Sequence, residues 1–127
     1  MLSTEKRIYP IIARYISYLY PDTVFRFDHA AGLYLTKQAA LRHKAVNPQR
    51  GYPDLFIAKP SKGYAGMFLE IKSDLESPYK KDGKLKKNEH LEEQKKVLDT
   101  LSKEGYFATF GVGIEDCLKK IDWYLRK

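Results

Sequence analysis

Two short segments of the chain combine residue types that can do chemistry together: Gly51-Tyr52-Pro53-Asp54 and Glu70-Ile71-Lys72. Side chains alternate faces along a strand, so Glu70 and Lys72 emerge on one side while Ile71 points to the other, into the core. If the strand opened by Asp54 pairs through a hairpin with the strand closed by Glu70-Ile71-Lys72, the start of one lies beside the end of the next. Two carboxylates and an ammonium then converge at one sheet edge. Such a set suits phosphodiester hydrolysis. A hard cation such as Mg²⁺ takes oxygen ligands, often one or two carboxylates with waters and phosphate oxygens completing the shell. Asp54 and Glu70 would supply the carboxylates, and the Ile71 backbone carbonyl a third protein oxygen. The cation would acidify water and neutralise charge developing on the phosphoryl group. Lys72, a compact point charge, would orient or help deprotonate the attacking water, or stabilise the pentavalent oxyanion; the sequence leaves these roles open.

Taken as bare spacing, these residues have an ordinary explanation. Pro-Asp before a strand is a common turn element, and Glu-x-Lys on a strand is a solvated charge pair. Context shifts the balance. The aspartate follows Gly-x-Pro at the start of a strand, the Glu-x-Lys ends an otherwise apolar one, and a helix with a glutamine on its buried side, Gln94, comes next.

The elements that must position these groups are readable from periodicity. Ile8, Ile12, Tyr15, Ile16 and Leu19 recur at helical spacing and predict a helix over Ser3 to Tyr20, ended by Pro21. Pro10 removes one backbone donor inside that pattern and is expected to kink the helix or delay its regular start. Val24 to Asp28 alternates as a first strand, and Lys37 to Lys44 reads as one or two helical turns within a less regular stretch. Asp54 to Ala58 and Met67 to Lys72 are the next two strands, joined by the Pro- and Gly-punctuated segment Lys59 to Gly66. Ser77 to Asn88, rich in lysine, reads as a solvated loop with too little apolar content to pack. Glu89 to Glu104 is a second long helix, closed by Gly105 as its C′ residue. Tyr106 to Val112 is a fourth strand, and Ile114, Cys117, Leu118, Ile121, Tyr124 and Leu125 mark a closing amphipathic helix. The order α-β-β-β-α-β-α makes an α/β fold with a mixed four-stranded sheet flanked by helices, in one domain over residues 1–127.

The formal net charge is +7 and the pI about 9.4, so a polyanion is the first partner to consider. Lys80, Lys81, Lys84, Lys86 and Lys87 would form an electrostatic arm on a phosphate backbone, without base reading. Arg26, Lys37, Arg42, Lys44 and Arg50 are a second basic group. His29, His43 and His90 lie far apart with no ligand spacing, which disfavours zinc and makes them surface or phosphate-contact residues. Of the ten tyrosines, Tyr52 and Tyr79 are singled out for substrate contact; the rest read as packing residues. Cys117 falls on the apolar stripe of the last helix and reads as core. A lone cysteine excludes an intramolecular disulfide and fits a reducing compartment. With no membrane-length apolar run and no signal-peptide order at Met1 to Lys6, the chain is expected to be soluble and cytoplasmic.

The order Gly51-Tyr52-Pro53-Asp54, Glu70-Ile71-Lys72 and Gln94 resembles the PD-(D/E)XK nuclease superfamily and, more narrowly, the virus-type replication-repair nuclease (VRR-NUC) domain. Glu5 near the front of the first helix and the Gly105-Tyr106 turn belong to the same likeness, which therefore runs across nearly the whole chain. It implies a restriction-endonuclease-like core and a Mg²⁺-dependent deoxyribonuclease of phage or bacterial replication, repair or recombination, working in a bacterial or phage-infected cytoplasm, with Mn²⁺ able to substitute. Asp54, Glu70 and the Ile71 carbonyl would be the metal ligands, with Lys72 the catalytic lysine. Glu5 matches an acidic residue that can assist a metal, and Gln94 a helical glutamine packed against the active site. Structure-selective cutting of DNA is the expected action. Resolving a four-way (Holliday) junction would need two sites, which a symmetric homodimer supplies. Two other readings stand beside this one: a non-catalytic nucleic-acid-binding protein on the same scaffold, and a partner subunit whose basic surface serves an acidic protein.

Overall fold

The computed structural model describes residues 4–28 and 36–127, with side chains from residue 7 onward. The helix predicted at the front is α1, Thr4–Leu19. It runs through Pro10 instead of starting after it, so the expected delay does not occur. Ile8, Ile12 and Ile16 are buried along its inner stripe, but Leu19 is 47% exposed, against expectation, because the chain turns away at Pro21 before that last residue meets the core.

The first strand is shorter than its alternation suggests: β1 covers Phe25–Phe27 only, and Val24 is exposed. The weakly patterned middle forms a full helix, α2, Lys37–Val46, whose N-cap Thr36 accepts a hydrogen bond from the Ala39 amide. β2 is Leu55–Ile57 and β3 Met67–Lys72, joined by a hairpin in which Ser61 and Tyr64 exchange backbone hydrogen bonds across the Lys62-Gly63 tip. α3 spans Glu89–Lys103, capped by the Asn88 side chain on the Leu91 amide; β4 is Phe107–Val112 and α4 Gly113–Leu125.

The lysine-rich segment is solvated, as expected, but against expectation part of it packs. After a single 3₁₀ turn at Asp74–Glu76, Tyr79 bridges Leu85, and the Lys80 and Lys86 amides bond to the Lys84 and Pro78 carbonyls. Its apolar content is small but well placed: Pro78 is fully buried, and the Tyr79 ring meets Phe110 edge-on at 6.0 Å. Two apolar residues pin the base of a small hairpin while its lysines stay exposed.

The sheet order is β1-β2-β3-β4, antiparallel across the first three strands and parallel between β3 and β4. This is the mixed sheet that the element order predicts. Leu55, Ile57, Met67, Leu69 and Ile71 face α1 and α4, where they meet Cys117, Ile121 and Tyr124. On the opposite face Phe56 stacks on Phe68 at 4.5 Å, and Tyr106 stands against Phe68 at 5.1 Å. β3 is thus buried on both faces along its whole length. Gly113 lets β4 turn into α4 beside the 3₁₀ turn: its φ is +82°, and a Cβ there would lie 1.8 Å from Asp74 Oδ1. Among the described residues, no helix is long and apolar enough to cross a membrane.

Asp122 of α4 ties down α1, accepting hydrogen bonds from the Tyr15 hydroxyl at 2.5 Å and the Tyr20 hydroxyl at 2.7 Å. The bond to Asp122 raises the Tyr15 pKa from 10.0 to about 12, with burial adding to the effect. A folded pKa above the unfolded value means the contribution is fully present below pH 10 and is lost as pH rises toward 12. Urea unfolding should therefore show stability falling across that window, with a shallower fall in Asp122→Asn. Equal slopes in the two proteins would disprove the coupling.

Candidate active site

The β2–β3 register pairs Leu55 with Leu69, so Asp54, one residue before β2, lies opposite Glu70. β2 begins there while β3 runs on. Where the ladder loses its partner strand, the Asp54 carboxylate takes over: Oδ2 accepts the Ile71 amide hydrogen at 2.8 Å. In an antiparallel hydrogen-bonded pair the amide and carbonyl of one residue leave on the same side. The Ile71 carbonyl is therefore directed to the side on which Asp54 lies. Glu70 and Lys72 stand together on the other face from Ile71, with Lys72 Nζ 3.9 Å from Glu70 Oε2. From α3, Gln94 Nε2 donates to Glu70 Oε2 at 3.0 Å.

All four side chains are withdrawn from solvent: Asp54 is 7% exposed, Glu70 4%, Lys72 8% and Gln94 6%. Burying three ionisable groups in one place costs several kcal/mol per ion unless partners compensate; here Asp54 accepts the Ile71 amide, Glu70 accepts the Gln94 amide, and Lys72 lies 3.9 Å from Glu70. They sit at the floor of a cleft of about 860 Å³ whose walls come from β1, α2 with the segment after it, and α3.

The four residues that sequence reasoning grouped do lie together in space, although they meet at the end of the sheet's central strands and not along its lateral edge. The other candidates fall differently. Arg26 lines the cleft. Arg50 is outside its lining and lies 3.6 Å from Glu93 of α3. Lys80, Lys81, Lys84, Lys86 and Lys87 do not line the cleft either; their hairpin stands on Phe110, which pairs with Glu70 across β3 and β4. The Glu5 side chain and His29 lie outside the described residues.

Among the residues read as peripheral or not considered, three that line the cleft carry ionisable side chains: His43, His90 and Asp28. His90 Nε2 lies 3.2 Å from Gln94 Nε2, so its neutral Nδ1–H tautomer can accept the second amide hydrogen. The signal was available, since residues four apart share a helix face. Tyr52 also lines the cleft, half-exposed, with burial and then the Asp28 carboxylate holding its hydroxyl above the ordinary tyrosine range. Burial likewise pushes the Cys117 thiol up to about 12, in keeping with its place in the core.

The donor set suits a hard cation. It consists of two carboxylates and a peptide carbonyl, and among the described residues no three His, Cys, Asp or Glu side chains converge on a metal site. Zinc sites draw on histidine and thiolate ligands, whereas Mg²⁺ is content with one or two carboxylates. The Gln94 Oε1 atom is buried with no hydrogen-bond partner, an acceptor left over for a ligand, water or substrate.

A mixed sheet with its acidic cluster where β2 begins and β3 ends, flanked by α1 and α4 on one face and α3 on the other, is a restriction-endonuclease-like α/β fold. More narrowly, the fold is the VRR-NUC one: a solved structure described as a VRR_NUC domain protein superposes with a TM-score of 0.66 over 99% of this chain and 91% of its own, at 22% identity. No family model and no curated protein matches the chain.

The loop carrying Asp54 is seated on α3 through Gly51. Its φ is +81°, and a Cβ there would lie 3.0 Å from the Glu93 carbonyl and 3.2 Å from the Gln94 amide. Gly51→Ala should cost about 1–3 kcal/mol through backbone strain alone and push the Asp54 loop off the helix that carries Gln94. Urea unfolding measures it, and a variant as stable as the parent would show that the loop is not held this way.

Proposed function

We propose that this protein is a metal-dependent nuclease that hydrolyses DNA phosphodiester bonds, acting selectively on branched or flapped DNA. The observation that carries the reading is the burial of Asp54, Glu70 and Lys72 around one end of β3, at the floor of an open cleft, in a chain of net charge +7. A pure nucleic-acid binder gains nothing from two carboxylates facing phosphate. The likeness in fold to a VRR_NUC domain protein supports the same reading.

Asp54, Glu70 and the Ile71 carbonyl would hold Mg²⁺, with Mn²⁺ able to substitute. Bound there, the cation supplies Lewis acidity and a more acidic water. The chain's own groups do the rest. The Ile71 amide orients Asp54, and the Gln94 amide orients Glu70, so neither carboxylate has to reorganise when substrate arrives. Lys72 places a positive charge beside the phosphoryl oxygens as water adds to phosphorus and the P–O bond to the leaving strand breaks. Arg26, exposed at the cleft wall, would hold a flanking phosphate. Selectivity for DNA shape fits a molecule whose described residues, beyond the sheet and its helices, form only short turns and small hairpins.

Asp54→Asn and Glu70→Gln each keep shape and remove a ligand charge. Either should lower Mg²⁺-dependent cleavage of flapped or four-way DNA by about 10²-fold or more, with the far-UV spectrum and DNA affinity retained. Full turnover by either purified variant would sink the site assignment.

The lysine hairpin is proposed as the arm that holds the phosphate backbone. Replacing Lys80, Lys81, Lys84, Lys86 and Lys87 by glutamine should weaken binding to every DNA by a similar factor. The salt dependence should flatten by up to about 0.9 for each phosphate that is no longer neutralised, while single-turnover cleavage at saturating DNA survives. Anisotropy at several salt concentrations reads this out, and an unchanged slope would take the hairpin off the substrate.

A further inference from the structure

Tyr52 stands two residues before Asp54 and lines the same cleft, yet it is 49% exposed. Nothing in the metal chemistry uses it. Its neighbours on both sides are fixed, Pro53 by full burial and Gly51 by the close approach of the α3 backbone. Its ring is fixed as well, meeting Phe68 at 5.9 Å with the planes at 86°. In a perpendicular pair at least one face of the Tyr52 ring is left uncovered by Phe68, whichever ring offers its edge. The Tyr52 ring is thus a partly wet aromatic surface lining the cleft, set against Phe68, which itself packs on Phe56 and Tyr106.

Exposed aromatic faces in nucleic-acid grooves are where unpaired bases stack, since every base has a π-face; here Arg26 and Lys72 supply the cations of the lining. Bases inside a duplex already stack on their neighbours and cannot use such a surface without being extruded. The cleft also has room for a nucleotide: its volume of about 860 Å³ falls in the range of small-ligand sites, about 300–1,000 Å³.

We propose that Tyr52 is the stacking platform for the nucleobase beside the scissile phosphate, so that the cleft takes one unpaired nucleotide of a DNA strand. The position of that phosphate rests on the nuclease reading above; the preference for an unpaired base does not. Arg26 would hold the nucleotide's phosphate across the cleft while the ring holds its base.

The test is done first in EDTA, where nothing is cut, with the full chain. Affinities for a flapped DNA and for the matching continuous duplex are measured for the parent, Tyr52→Phe and Tyr52→Leu, at several salt concentrations. Tyr52→Leu should bind the flapped DNA roughly 5- to 150-fold more weakly, the range that removal of one aromatic–base stack gives. It should bind the duplex within about twofold of the parent, with an unchanged salt slope, because stacking releases no counterions. Tyr52→Phe should behave as the parent. Equal losses on both DNAs, no loss on the flap, or a phenylalanine variant as weak as the leucine one would each overturn the proposal. The parent protein supplies a second measurement that needs no variant. An abasic sugar placed in turn along the flap should cost a similar factor at one position, and a flat profile would overturn the proposal. Cleavage is then assayed in Mg²⁺. A protein that shows the tyrosine-dependent preference but never cuts would overturn only the nuclease reading, and one that cuts without the preference only the stacking site.

Discussion

The bond between the Asp54 carboxylate and the Ile71 amide is the contact on which the site depends. β3 has six residues and β2 three, paired only as far as Leu55 with Leu69. Beyond that pair the β2 side of β3 would present an unpaired peptide in the protein interior, at a cost comparable to that of a missing hydrogen bond. Asp54 supplies the missing acceptor with a side chain instead of a strand. The same bond therefore completes the sheet and delivers a carboxylate to the end of β3, so the residue proposed as a metal ligand is also one that the fold needs.

The other charged groups follow from β3 being central. Its inner face is aliphatic throughout, from Met67 through Leu69 to Ile71, and packs on α1 and α4. Its outer face changes along its length, from Phe68 in an aromatic bed to Glu70 and then Lys72. An isolated buried ion would be prohibitive. Glu70 is tolerable because α3 brings Gln94 to one of its oxygens and Lys72 places an ammonium 3.9 Å away. Positions such as these are where natural sequences give up stability for function. The unpartnered Gln94 Oε1 and Ser73 Oγ, both buried, fit that pattern.

What the sequence disclosed and what it hid divide along a physical line. Strong periodicity marks the long helices and β3, and strand alternation alone places Glu70 and Lys72 on one face. The Asp54–Glu70 juxtaposition needs only a hairpin between Ala58 and Met67. Elsewhere sequence and structure part, mostly where contacts distant along the chain decide. β1 pairs only Phe25 to Phe27 with β2, because β2 itself spans just Leu55 to Ile57; Val24 and Asp28 still bond through their backbones to Ala58 and Asp54 beyond its ends. α2 owes its ten residues to local causes, the Thr36 cap and helix-forming side chains, with no buried residue of its own, so hydrophobic periodicity could not reveal it. The lysine segment folds because Pro78 and Tyr79 reach the sheet, an attachment invisible in a composition that reads as solvated. Pro10 disturbs its helix less than its chemistry suggests for a related reason: one missing donor is outweighed by the burial of Ile8, Ile12 and Ile16.

The two walls of the cleft differ in what holds them. α2 contributes His43 and Val46 to one wall, yet none of its residues is buried, and Leu41 and Val46 are exposed on a helix that also carries Lys37, Arg42 and Lys44. The opposite wall is rigid: Gly51 is locked on α3, Pro53 is buried, and Asp54 is tied to β3. The cleft thus has one side set by the core and one side whose helix, α2, places none of its own residues in the core. Elements with few buried apolar contacts are the ones that open at the lowest free energy. The buried cluster of Asp54, Glu70, Lys72 and Gln94 is thus built beside the wall that the core holds, while the exposed Lys37, Arg42 and Lys44 stand on a helix that places no residue in the core.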